Sequence, residues 1–287
     1  MSVAGGPLSS LTSSVGRALD GRVANKHLAW FGLGFVGIYF ILPILLLIPE
    51  SLALGTGNPL ESYVRATGGI YVNAFVRSFL YGLLTTAVTL TLAYLLAYYL
   101  AFATDRVRLG MTLIIVPLWI AYIVRYFGIL LFFSPAGPLT DLTGIDTGIL
   151  FTTPAVIIGL ANVYLPFAVL PIYNSLNAID RELISASRVL GADQWKTIAK
   201  VVFPLSLPGL VAAGLIVFIL AAGSFLGPAV LGGPKQTMIA NVIAQAFLEN
   251  FNIRFASALA ILYTLALGCL LVAFNTVFDL QEVLGNI

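Results

Sequence analysis

The chain has 287 residues, of which 60% are hydrophobic and 9% charged, and its net charge is +2. Soluble domains carry about a quarter charged residues, so this composition excludes a surface built for water and points to the bilayer as solvent. The net charge is too small to argue for nucleic acid. The single cysteine, Cys269, excludes an internal disulfide, and no metal-ligand spacing exists, so no cofactor is expected. The single histidine, His27, stands at the mouth of the first apolar stretch and reads as an interfacial residue.

Residues 1–27 form a polar leader with Arg17, Arg22 and Lys26. The apolar stretch that follows is too long for a signal-peptide core, so it is expected to remain as a first span. A helix needs about 20 apolar residues to cross the hydrocarbon core. Six stretches qualify: 28–49, 79–103, 111–133, 151–172, 207–231 and 255–278. Five contain no charged residue, and the third contains Arg125. The expectation is an all-α polytopic membrane protein with six transmembrane helices, a membrane domain over 28–278 and a short tail, 279–287.

Basic residues collect on the side that retains loops. The leader's three, Arg106 and Arg108 after the second stretch, and Arg181, Arg188, Lys196 and Lys200 after the fourth fall on one side. Arg65, Arg77, Lys235 and Arg254 fall on the other. This places both termini in the cytoplasm. Pro43, Pro117, Pro154, Pro166, Pro171 and Pro228 lie within the apolar stretches. Each removes a backbone donor and can kink its helix, and neighbouring helices can satisfy the freed carbonyls.

One connection is long and polar, from Asn174 to Val202. Leu183, Ala186 and Leu190 recur at helical spacing, and so do Trp195, Ile198 and Val202. Gly191 lies between the two halves, where a left-handed backbone is cheap. Pro204 and Pro208 precede the fifth stretch. The pattern predicts two short amphipathic helices around a turn. From composition alone the segment could equally lie flat on lipid headgroups.

The order of residues decides between these, because 174–204 resembles the cytoplasmic EAA loop of permeases in ABC importers. That loop reads Glu-Ala-Ala, three residues, Gly, about nine residues, then an apolar residue and Leu-Pro. Here Glu182-Leu183-Ile184 matches the lead-in, and Ser185, Ala186 and Ser187 stand where Glu-Ala-Ala would be. Gly191 and Ala192 match the Gly-Ala, Trp195 takes the aromatic position, and Val202, Phe203 and Pro204 match the closing element. Ser185 departs from the acidic residue of the pattern. Residues 221–247, with Phe225, Pro228 and Leu231-Gly232-Gly233, resemble spermidine/putrescine-type permeases, as do 123–131 and 251–260. The likeness covers the second to sixth stretches and favours the first of the two permease subunits in that group.

The resemblance implies the type I importer permease fold in a prokaryotic plasma (inner) membrane. It implies ATP-binding cassette ATPase subunits docked on the EAA loop, a second permease subunit and an extracytoplasmic substrate-binding protein. ATP hydrolysis belongs to the ATPase, since this sequence contains no G-x-x-x-x-G-K-[ST] loop. ATPase coupling is assigned to Glu182, Ser185, Ala186, Ser187, Gly191, Ala192, Trp195 and Pro204. A translocation path is assigned to Arg125, Tyr122, Tyr126 and Phe225. An arginine within a span marks a functional position by default. Arg125 could contact substrate, bind carbonyls freed by a kink, or reach the outer face. Trp119, Tyr122, Tyr126 and Phe127 around it could make cation–π contacts or face lipid.

The implied substrate is a polyamine, although no span contains a carboxylate for one. Related permeases move ferric iron and several anions, which an arginine would suit. A membrane enzyme is excluded by the lack of paired carboxylates, a histidine cluster or a nucleophile with a base. A secondary transporter needs ionisable relays or repeats, and neither is evident.

Overall fold

The computed structural model describes residues 30–52 and 58–277. The leader with Arg17, Arg22, Lys26 and His27, and the tail 279–287, lie outside the described residues. The described chain is helical, with no strand.

Helix α1, Trp30–Ser51, is long and apolar enough to cross a membrane and exposes most of its side chains. Pro43 leaves no helix break, because a π-turn at Gly37–Ile41 precedes it and the Leu42 N–H reaches back to the Gly37 carbonyl. The wider turn absorbs the donor that proline lacks. A short helix α2, Glu61–Ala66, leads to α3, Gly69–Phe102. At 1.5 Å per residue, the 34 residues of α3 exceed the thickness of the hydrocarbon core. Its start lies ten residues before the expected position 79. The early turns are held by Arg77, which donates to the Thr237 carbonyl at 2.8 Å, and by Ser78, whose hydroxyl accepts the Ile239 N–H at 2.8 Å.

The third apolar stretch is not one helix. It divides into α4, Val107–Trp119, and α5, Tyr122–Phe132, which meet at 101°. Pro117 removes a helical hydrogen bond, α4 closes in a 3-10 turn at Val116–Trp119, and Ile120 and Ala121 take extended backbone angles. Each half alone is too short to span. After a short helix α6, Pro138–Thr143, the chain enters α7, Thr153–Asn177. Phe151 has φ +60 just before it, and Pro154 sits in the first turn, where its missing N–H costs nothing. Pro166 and Pro171 lie inside α7, which continues five residues past the expected end.

Helix α8, Arg181–Val189, is followed by α9, Gln194–Ala222. The second half of the expected helical hairpin is therefore not a separate element but the first turns of the fifth span. A π-turn at Ile198–Val202, closed by the Phe203 N–H on the Ile198 carbonyl, carries the helix through Pro204. It repeats the device before Pro43. The far end of the expected fifth span separates instead. α9 stops at Gly223, and 226–231 form α10, Leu226–Leu231, with Pro228 in its first turn. Then come α11, Ile239–Glu249, and α12, Ile253–Val277.

The core is a three-helix unit of α3, α7 and α9. Small side chains let the backbones approach, as membrane helices require. Gly209 of α9 is the tightest example: a Cβ there would lie 2.4 Å from Ser175 Cβ and 2.5 Å from the Pro171 carbonyl. Tyr94 and Ser206 share a hydrogen bond of 3.1 Å between α3 and α9, and Tyr81 and Thr153 one of 2.7 Å between α3 and α7. α12 packs against α1, and against α2 and α11 over a second apolar cluster centred on Ile239, Phe255 and Leu259.

Candidate functional site

Two places depart from plain helix packing. The first is the α8–α9 hairpin. Asp180 caps α8 by accepting the Glu182 N–H at 2.9 Å, and Asp193 caps α9 by accepting the Lys196 N–H at 2.7 Å. An Asp cap is worth about 1 kcal/mol, so both starts are fixed locally. Between them Gly191 has φ +81, and the Ala192 N–H returns to the Ser187 carbonyl at 3.0 Å. The two arms are joined across the turn by Ser187 and Thr197, whose hydroxyls lie 2.9 Å apart.

The hairpin is also fastened to the bundle. Arg181 donates to the Ala101 carbonyl at the end of α3, at 3.1 Å, with its guanidinium 5.9 Å from the Phe102 ring. Ser206 and Val202 are buried on the same arm. The opposite surface is bare. Trp195 is 80% exposed, and Val189 and Leu190 are each 87% exposed. Of the two expected apolar ridges, the second is divided: Val202 belongs to the core, while Trp195 is largely exposed. A cleft of about 230 Å³ opens between the arms, lined by Arg181, Ser185, Arg188, Gln194 and Tyr98 among others. Glu182, Ser185, Ala186 and Pro204 are all exposed, Ser187 and Ala192 half-buried.

The second place is the bend before α5. Arg125 donates to the Val163 carbonyl at 3.3 Å, to the Asn162 side-chain oxygen at 3.2 Å and to the Asn162 carbonyl. The physical reason is Pro166. A helical carbonyl at 162 would accept from the N–H of residue 166, and proline has none. In this structure Arg125 therefore bonds backbone and side-chain oxygens of α7, one of them a carbonyl that Pro166 leaves without a helical donor. Tyr126 is 1% exposed, packed between α5, α7 and α10, and shares hydroxyl contacts with Tyr164 and Ser224. Tyr122 and Phe225 are 42% and 43% exposed, and the Phe225 carbonyl accepts from the Asn241 side chain at 2.9 Å. Trp119 and Phe127 are exposed as well.

Residues 92–282 match the family described as "Binding-protein-dependent transport system inner membrane component". The chain belongs to this family. The match begins inside α3 and contains both the hairpin and the Arg125 bend. The spermidine/putrescine transport system permease protein PotB of Escherichia coli strain K12 is 34% identical over 84% of this chain and 93% of that protein. PotB of Salmonella typhimurium strain LT2 is 34% identical over 84% of this chain and 89% of that protein. The molybdenum transport system permease protein ModB of Azotobacter vinelandii is 30% identical over 52% of this chain.

Among solved structures, a bacterial ABC transporter that imports the acidic polysaccharide alginate superposes with TM-score 0.76 at 15% identity, over 93% of this chain and 98% of that chain. An inward-facing MetNI methionine ABC transporter superposes with TM-score 0.54 at 20% identity, over 85% of this chain. The fold is that of type I ABC importer permeases. The protein is a multi-pass inner-membrane transport component and not an enzyme.

Sequence reasoning found Gly191 and Trp195 from spacing. It missed the caps Asp180 and Asp193, although an Asp directly before a helical run is a readable start signal. It also missed Asn162, whose relevance depends on an arginine 37 residues away.

Ser185 points its hydroxyl back to the Arg181 carbonyl at 3.1 Å and borders the cleft with Arg181 and Arg188. A glutamate there would lie one helical turn from each arginine, a pairing worth about 0.3 kcal/mol. Ser185→Glu should therefore leave transport near wild type. Complete loss of uptake would show that position 185 is not equivalent to the acidic position of the family pattern.

Proposed function

We propose that this chain is one of two membrane-spanning subunits of an ATP-driven polyamine importer, with both termini and the α8–α9 hairpin in the cytoplasm. An extracytoplasmic binding protein delivers the substrate, and paired ATPase subunits dock on the hairpin. One observation supports the substrate: 34% identity to spermidine/putrescine permeases along 84% of the chain. One observation supports the docking: the exposed Trp195 surface is continuous with α9, a single helix running through the core to Ala222.

That continuity supplies the mechanics. An importer must convert closure of its ATPases into a switch between two arrangements of the bundle. A partner that moves the tip of α9 moves the core helix with it, because Val202, Ser206 and Gly209 are packed against the bundle. The basic residues Arg188, Lys196 and Lys200 set the orientation of docking more than its strength. Tyr122 and Phe225, half exposed beside the bend, are the side chains proposed to meet substrate, with Tyr126 supporting them from the core.

The test is gentle purification of the chain with its partners, their identification by mass spectrometry, and labelled-spermidine uptake into liposomes that hold the assembled complex. Uptake that requires ATP and the binding protein is the expected result. Co-purification without spermidine uptake but with oxyanion uptake would overturn the polyamine reading. Transport by the chain alone without ATP would overturn the importer reading.

A further inference from the structure

Apart from Glu50 in the last turns of α1, the helices long enough to span carry no carboxylate among the described residues. A polycation crossing this bundle must meet oxygens of another kind. At Arg125 three oxygens converge on a cation from the middle of a span: the Asn162 and Val163 carbonyls and the Asn162 side chain. Pro166 denies the Asn162 carbonyl its usual α-helical donor, so that acceptor is built into the sequence. Tyr122, one turn before Arg125, places an aromatic ring on the same helical face. Carbonyl oxygens beside an aromatic ring suit an ammonium group as well as a guanidinium.

The group that fills this cluster is mounted on a half-span separated from its neighbour by a break. α5 is an 11-residue half-span, joined to α4 through the extended pair Ile120–Ala121 at 101°. We propose that the oxygen cluster at the Pro166 break is an acceptor site for the ammonium group of the transported amine, filled in this conformation by the chain's own Arg125. The proposal rests on the polyamine reading. It also answers why a polyamine permease holds an arginine within its spans: solvated by neutral oxygens with its charge intact, Arg125 closes the site to substrate until α5 moves.

The test is thermal denaturation of the assembled complex with millimolar spermidine, with methylguanidinium, and with sodium chloride at matched ionic strength. Arg125→Ala should unfold several degrees lower than wild type. Spermidine and methylguanidinium should restore it, sodium chloride should not, and wild type should shift with none of them. Arg125→Ala/Pro166→Ala returns an N–H to the Asn162 carbonyl and should lose the response. Failure of spermidine to restore Arg125→Ala, even where methylguanidinium restores it, or an equal shift in wild type, would overturn the site.

Arg125→Lys supplies a second measure. A general cation site accepts an ammonium and keeps assembly and stability near wild type, whereas a site demanding the guanidinium fork would lose both, as Arg125→Ala does. If Arg125→Ala does not assemble, Arg125→Lys decides alone. Wild-type spermidine uptake in the same preparation separates the two levels. Uptake without cation rescue overturns this site only, and absent uptake overturns the substrate reading beneath it.

Discussion

Gly191→Val abolishes uptake while the chain still inserts and reaches normal abundance in the membrane. At φ +81 the position is left-handed, and no atom lies within 4 Å of where a Cβ would stand. The cost is therefore conformational and not a clash. A left-handed L-residue costs about 1–2 kcal/mol, and valine is among the least tolerant because its β-branch is stiff. The cheapest relief is to leave the left-handed region. That breaks the Ala192 N–H bond to Ser187 and the Gly191 N–H bond to Arg188, which hold the turn. α9 then starts in a different direction and Trp195 faces elsewhere. Gly191→Asn is the control, since asparagine adopts the left-handed conformation with little penalty; it should keep most uptake. Normal uptake in Gly191→Val, or equal loss in Gly191→Asn, would show that the turn geometry does not carry the coupling.

The parts of the fold legible in the sequence were those governed by local rules. Long uncharged stretches marked the spans, and helical spacing around Gly191 marked the hairpin. Most of the misses in the spans turn on prolines or charges whose outcome is settled by partners distant in sequence. Pro117 and Pro204 look alike in sequence, each a proline inside or beside an apolar run. Pro204 follows a π-turn that carries the helix through, whereas Pro117 sits in a 3-10 turn that ends one. The choice depends on packing: Val202 and Ser206 on either side of Pro204 are buried against the bundle, while Trp119 after Pro117 is 89% exposed. The beginning of α3 was placed late because Arg77 looked like a loop charge; its partner, the Thr237 carbonyl, is 160 residues away. Arg125 was visible as the one charge inside an apolar stretch, but its partner was not, since the pairing needs both Pro166, which deprives the Asn162 carbonyl of its helical donor, and the placement of α5 beside α7.

Trp195→Ala should release the ATPase subunits from the purified complex without weakening the membrane chain. At 80% exposure, Trp195 contributes little to folding in the free chain, so its truncation leaves the bundle's own stability unchanged. A tryptophan buried at the centre of an interface commonly contributes about 2 kcal/mol or more, which is roughly a thirtyfold loss of affinity. Val202→Ala, seven residues along the same helix, should behave in the opposite way. Val202 is 1% exposed, so shortening it opens a cavity in the core and lowers thermal stability directly. Measured together, ATPase retention on purification and the unfolding temperature of the chain separate the two roles of one helix. If Trp195→Ala kept its ATPases, the exposed apolar surface of the hairpin would have to be assigned to lipid headgroups, and the drive onto α9 would have to come through Arg188 and the cleft beside it.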